Sequence, residues 1–145
     1  MHKIFFNIFF LFLLIGCNEN TTDPSEDLTA MTDDTYYVGI SQVIVTIKNQ
    51  TKSTIYFSHC DYKIAYYIER KDSNSWIDNG NDGIICQAIY PIGRISLESM
   101  QTIEDTILFS RSTGTFRLKY PYSFQQSGDL SNLLITNEFN NYNPR

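Results

Sequence analysis

The chain has 145 residues and a formal net charge of −5, with 11 basic and 16 acidic side chains. This length suits one domain with a single hydrophobic core rather than two domains. From Thr35 onward ten basic residues stand against ten acidic ones, so the body of the chain is close to neutral. This argues against a nucleic-acid partner, because phosphate binding requires a basic stripe that displaces counterions.

An apolar run near the amino terminus ends at a cysteine. The run Ile4–Ile15 is too short to span a hydrocarbon layer of about 30 Å, so residues 1–16 are predicted to be a cleaved signal peptide. The small residue Gly16, followed by Cys17, completes a bacterial lipoprotein signature, Leu-Ile-Gly-Cys. Cys17 is predicted to carry a diacylglycerol and a fatty acid, and several acyl chains hold a protein on a membrane.

The predicted anchor also indicates a compartment, the bacterial cell envelope. Asn18 stands where enteric lipoproteins of the inner membrane have aspartate. The outer membrane is therefore expected if the organism is Gram-negative.

Two further cysteines, Cys60 and Cys86, remain after the lipidated one. Disulfides persist outside the cytoplasm, so these two are predicted to pair. Closing a loop of this length is worth about 3–4 kcal/mol in the chain-entropy model. The alternative is a pair of buried free thiols on neighbouring strands.

An acidic segment separates the signal peptide from the rest of the chain. Residues 18–34 consist mainly of Asn, Glu, Thr, Asp, Pro and Ser and contain no Lys or Arg. Such a composition cannot bury enough apolar surface to fold. We therefore predict that residues 17–34 form a lipidated, disordered stalk and that residues 35–145 form one domain.

The predicted domain consists of short segments in which apolar and polar residues alternate. Val43, Val45 and Ile47, for example, fall on one face of a strand. No pattern indicates a long helix, so the sequence predicts an all-β antiparallel sandwich of about 7–9 short strands. The predicted strands are 43–47, 54–59, 63–71, 76–78, 84–88, 94–99, 102–109, 114–122 and 133–139.

One tyrosine stands out among the many aromatic residues, most of which suit half-buried strands. In strand 63–71, Tyr67 shares a face with Lys63, Glu69 and Lys71 and is predicted to face solvent. Tyr67 and nearby tyrosines are predicted to form a contact patch for a sugar or a protein. The alternative is a plain sheet surface.

Two clusters have residue types found in catalytic or metal sites. Residues 58–61 read Ser-His-Cys-Asp, but neighbours on a strand point to opposite faces, whereas catalytic triads are assembled from separated segments. Residues 78–83 resemble the start of a calcium loop, yet Gly80 and Ile89 stand where ligands belong. We predict no enzyme activity, no metal and no cofactor.

The carboxy-terminal third resembles a known family. The stretches 113–118 (Thr-Gly-Thr-Phe-Arg-Leu) and 136–139 (Thr-Asn-Glu-Phe), with Asn49 and Trp76 upstream, are similar to the pattern of bacterial Ig-like domain lipoproteins. The resemblance covers residues 36–140. It implies that the sandwich is Ig-like and that its job is binding.

The sequence therefore predicts a lipid-anchored, non-catalytic envelope protein with an Ig-like binding module. Its expected partners are the membrane, through the lipid on Cys17, and an envelope protein or carbohydrate. The alternative is a protease inhibitor that acts through exposed loops of the sandwich, for which residues 78–83 look too flexible.

Overall fold

The computed structural model describes residues 27–60, 63–78 and 93–144. Within these ranges the chain forms strands, and no helix is long and apolar enough to cross a membrane. The strands are β1 (Leu28–Thr32), β2 (Tyr36–Val38), β3 (Ser41–Asn49), β4 (Ile55–Cys60), β5 (Lys63–Ile64), β6 (Tyr67–Asp72), β7 (Ser75–Asp78), β8 (Gly93–Leu97), β9 (Thr102–Phe109), β10 (Gly114–Ser123), β11 (Asn132–Ile135) and β12 (Phe139–Tyr142).

The described strands form two sheets. The smaller sheet has the order β1-β3-β9, and the larger one is built around β10. Strands β11 and β12 pair with one edge of β10, while β4 and β6 pair with the other. Strands β5 and β8 pair with β4, and β7 pairs with β6. The predicted all-β sandwich is confirmed, and its strands pair antiparallel with the exception that β2 pairs with β12 in parallel.

The core lies between the two sheets. The three apolar side chains predicted to share one face of β3 are fully buried. Phe109 of the smaller sheet meets Phe116 and Phe139 of the larger sheet, with ring centroids 5.0 and 5.1 Å apart. Such edge-on ring contacts add to the stabilisation from buried area. The aromatic rings therefore join the two sheets.

The sandwich has two ends that differ in their loops. Leu28 pairs with Asn49 at one end, called here the Asn49 end. Ser41 pairs with Phe109 at the other end, called the Phe109 end. Loop 110–113 follows Phe109 and lies at that same end.

The domain begins earlier than predicted, because β1 lies within the predicted stalk of residues 17–34. Leu28 and Ala30 are buried in the core. The carboxylate of Asp33 is used inside the domain, since it accepts a hydrogen bond from Tyr37 Oη at 2.7 Å. The prediction of a disordered segment is therefore wrong for residues 28–34, where acidic side chains bind neighbouring groups.

The twelve strands of the described residues exceed the predicted seven to nine because β1 and β2 were not predicted and because two predicted strands are each divided. Predicted strand 63–71 is interrupted between β5 and β6, where the amide of Ala65 donates to Ser58 O at 2.8 Å. Predicted strand 133–139 is interrupted between β11 and β12, where the amide of Thr136 donates to Leu118 O at 3.0 Å.

Several predicted features lie outside the described residues. These are the signal peptide, the lipidation site Cys17, the strand at 84–88 and the cysteine at position 86. Cys60 is described and is buried at the end of β4. The pairing of Cys60 with Cys86 stays a prediction.

Candidate binding face

The outer face of the larger sheet carries the residue predicted to contact a partner. Tyr67 is 48% exposed on β6 and pairs with Lys119 on β10, which pairs in turn with Ile135 on β11. Leu133 lies two residues before Ile135, so both project from the same face. Leu133 is 52% exposed and Ile135 is 41% exposed. We call Tyr67, Leu133 and Ile135 the outer-face patch.

Glu69 shares the outer face with Tyr67, as predicted, but it is buried rather than solvated. Arg117 Nε lies 2.6 Å from Glu69 Oε2, and Lys119 Nζ lies 2.9 Å from Glu69 Oε1. Burial raises the pKa of Glu69, but the hydrogen bonds and charges of Lys119 and Arg117 outweigh it and hold the pKa below its usual value. The ion pair therefore stabilises the sheet at pH values above the pKa that Glu69 has in the unfolded chain. This stabilisation is lost as the pH falls through the lower pKa that Glu69 has in the folded protein.

Trp76 lies beside this ion pair and is covered by cations. The guanidinium carbon of Arg117 is 4.1 Å from the centroid of the Trp76 ring, and Lys71 Nζ is 5.4 Å from it. Lys71 also pairs with Glu138 at 2.9 Å. The ring thus takes part in cation–π contacts within the sheet, and it is not an open platform for a ligand.

A buried carboxylate lies between the sheets. Asp105 on β9 is 7% exposed and accepts a hydrogen bond from Tyr120 Oη at 3.5 Å. Burial raises the pKa of Asp105, and the charge of Lys63 and the Tyr120 hydrogen bond only partly offset it. Burial and the nearby Asp105 charge raise the pKa of Tyr66 to about 12. The site therefore disfavours negative charge.

Replacing Asp105 with asparagine is expected to stabilise the protein at neutral pH. The folded pKa lies above the unfolded value of about 3.9, so the favourable contribution of the protonated group is lost as the pH rises through the folded pKa. Asp105→Asn should gain about 1 kcal/mol at pH 7, because a buried charge costs more free energy than a buried neutral amide.

Urea unfolding at a series of pH values measures this gain. The gain should shrink towards acidic pH, where Asp105 is protonated in the wild type. Asp129→Asn removes an exposed carboxylate and serves as the control. A variant Asp105→Asn that is less stable than the wild type at pH 7 would show that the charge is stabilising.

The two clusters that have catalytic or metal-binding residue types are not assembled into a site in the described part of the chain. Ser58 and His59 are successive residues of β4, so their side chains leave the strand on opposite faces. Asp78 ends β7 and pairs with Lys119 at 3.3 Å. The rest of segment 78–83 lies outside the described residues. Within residues 27–60, 63–78 and 93–144, no group of three or more His, Cys, Asp or Glu side chains could hold a metal ion.

Two members of the outer-face patch, Leu133 and Ile135, were missed by the sequence analysis. The segment Leu133-Leu134-Ile135 is apolar at successive positions, whereas a strand with one solvated face should alternate. Leu134 is buried in the core. Its two neighbours must therefore lie on the other face, and this break in alternation is the signal that could have identified them.

Comparisons with known proteins do not show a family. No protein-family model matches the chain, and no curated protein matches it. The chain is similar to the ASH/PapD-like domain of human CEP192 (PapD-like domain 7), with a TM-score of 0.44 and 12% identity over 100% of this chain and 99% of that one. It is also similar to the alkylpurine DNA glycosylase AlkC of Pseudomonas fluorescens, solved bound to DNA containing an abasic site analog. Here the TM-score is 0.38 and the identity 10%, over 79% of this chain and 30% of that one. TM-scores of 0.44 and 0.38 are too low to establish a shared fold, and the two sheets described above define the fold class.

Proposed function

We propose that this protein is a lipid-anchored, non-catalytic component of the bacterial cell envelope, whose Ig-like sandwich binds another envelope protein. The observation that carries the proposal is the outer-face patch. Its three side chains are large, apolar in body and 41–52% exposed on one sheet face. Exposed apolar groups gathered on one face are typical of interaction sites.

The surroundings of the patch favour a protein over a sugar as the partner. Leu133 and Ile135 offer no hydrogen bonds to sugar hydroxyl groups. Charged side chains that are already paired, such as Lys119 with Glu69 at 2.9 Å, lie beside the patch. An apolar centre with a polar rim is the usual anatomy of a protein–protein interface.

The proposed anchor places the patch where a membrane neighbour can reach it. The ten residues between Cys17 and Leu28 span at most about 35 Å when extended. Because β1 starts at the Asn49 end, that end faces the membrane in this proposal. The outer-face patch then lies on the flank of the domain, which suits a lateral contact with a protein in the same membrane.

The proposed location follows from the sequence around the anchor. The run Ile4–Ile15 and the small residue before Cys17 support signal cleavage and lipidation. Asn18 in place of aspartate favours the outer membrane if the organism is Gram-negative. The anchor makes the membrane itself the first partner of the protein.

Site-specific photo-crosslinking in native membranes tests the binding proposal. A photoreactive amino acid at Tyr67 of the full chain should give a protein adduct of one defined mass. The same amino acid at Leu108, which is 68% exposed on the smaller sheet, is the control and should not give this adduct. Ile135→Ser should reduce the yield from position 67 at least fivefold.

Three outcomes would contradict the proposal. These are the absence of an adduct from position 67, equal adducts from positions 67 and 108, and an adduct that contains only carbohydrate. The last would leave a contact at Tyr67 but would exclude a protein partner.

A further inference from the structure

A cleft at the Phe109 end of the sandwich is separate from the outer-face patch. It has a volume of about 690 Å³ and lies where loop 110–113 meets the end of β12. Arg70 and Arg111 line it, together with hydroxyl groups and the amide of Asn143. The described residues that line this cleft include no carboxylate, so its walls are polar and basic.

Arg70 differs from the other basic side chains of β6 and β10. Lys71, Arg117 and Lys119 each form an ion pair with a carboxylate. Arg70 donates one hydrogen bond, from Nη2 to Thr113 O at 3.4 Å, and has no ion pair with any carboxylate of the described residues. Its guanidinium therefore remains available to an anion that enters the cleft.

The structure holds both sides of the cleft in place. A Cβ atom on Gly114 would lie 3.0 Å from Arg70 Nε, so the glycine leaves room for the guanidinium against β10. On the opposite side, Asn141 Nδ2 and Asn143 Nδ2 donate to Arg111 O at 2.7 and 3.3 Å. These contacts fix loop 110–113 to β12, and a fixed loop lowers the entropy lost on binding.

We propose that this cleft binds an acidic saccharide, with Arg70 holding its carboxylate. A guanidinium presents a planar fork of donors that matches an oxyanion bidentately. Hydroxyl and amide groups on the walls can exchange hydrogen bonds with sugar hydroxyls. Tyr142 is 47% exposed beside them and offers a ring face for a sugar. The volume falls within the range of small-molecule sites, about 300–1,000 Å³.

Titration of the isotope-labelled full chain, in non-ionic detergent micelles, with glucuronate tests this proposal by NMR. Glucuronate should cause saturable shifts in the backbone amides of residues 110–113 and 142–143. Glucose, which lacks the carboxylate, should not. Arg70→Gln should weaken the affinity at least tenfold, whereas Lys71→Gln removes an adjacent charge on the other face and should leave it unchanged.

A second variant tests whether weaker binding of glucuronate results only from the loss of a positive charge. Gly114→Ala keeps Arg70 but crowds its Nε atom, and it should also weaken binding. The proposal is overturned if glucuronate gives no saturable shifts, if glucose binds equally well, or if Arg70→Gln binds like the wild type. Acetate that binds as tightly as glucuronate would overturn the saccharide part, because the cleft would then recognise only the carboxylate.

Discussion

Replacing Asn49 with alanine is expected to lower the free energy of unfolding by about 3–4 kcal/mol. The side chain is fully buried. Its Nδ2 donates to the carbonyl oxygens of Ser53, Leu97 and Glu98 at 2.8, 2.9 and 3.1 Å. Its Oδ1 accepts hydrogen bonds from the amide and hydroxyl of Thr51 at 3.0 and 2.7 Å. Alanine would leave these groups without that partner, and each buried unsatisfied group costs about 1–3 kcal/mol.

Urea unfolding followed by the fluorescence of Trp76, the single tryptophan of the chain, measures this loss. The control is Asn140→Ala. Asn140 is exposed on β12, and its Oδ1 accepts from Thr115 Oγ1 at 2.8 Å. The control should change stability by no more than about 0.5 kcal/mol. If both variants lose the same amount, Asn49 does not hold the Asn49 end together.

Replacing Cys17 with alanine is expected to move nearly all of the protein out of the membrane fraction. In the proposed function the acyl chains are the anchor, and each buried methylene contributes about 0.8 kcal/mol to membrane binding. Several chains together make dissociation negligible, and their removal abolishes the anchor. Ser25→Ala, a change in the same segment, is the control and should stay with the membrane. Equal partitioning of Cys17→Ala and the wild type would contradict the proposed anchor.

The sequence predicted those strands that have one face in the core. Strand β9 was predicted with the bounds observed, 102–109, because its apolar residues at 103, 107 and 109 point inward. The inward face of β3 was predicted from the same alternation of apolar and polar residues. Tyr67 was predicted to be exposed for the same reason, since it alternates with Tyr66 and Ile68, which are buried.

The early start of the domain could not be predicted from local composition. Asp27, Asp33 and Asp34 surround β1, and such a density of like charge is typical of a solvated segment. Tertiary contacts order β1, because all of its residues pair with β3 and the amide of Thr32 donates to Asn137 Oδ1 at 2.8 Å. A contact across 105 residues leaves no local pattern in the sequence.

The full set of residues in each candidate site could not be predicted from the sequence, for a similar reason. Tyr67 and Ile135 share one sheet face only because β10 lies between their strands and pairs with both. The cleft brings Arg70 next to loop 110–113, and nothing near Arg70 in sequence indicates that it forms no ion pair with a carboxylate of residues 27–60, 63–78 and 93–144. Both sites depend on strand order, which alternation alone does not specify.

The proposed function requires a lipid attached to Cys17. The mass of the native protein's amino-terminal peptide, measured after extraction from membranes, shows whether this lipid is present. We predict a mature chain that begins at residue 17, lacks residues 1–16 and carries the added mass of a diacylglycerol and one fatty acid. A chain that retains residues 1–16, or one whose Cys17 thiol is unmodified, would contradict the proposed lipid anchor.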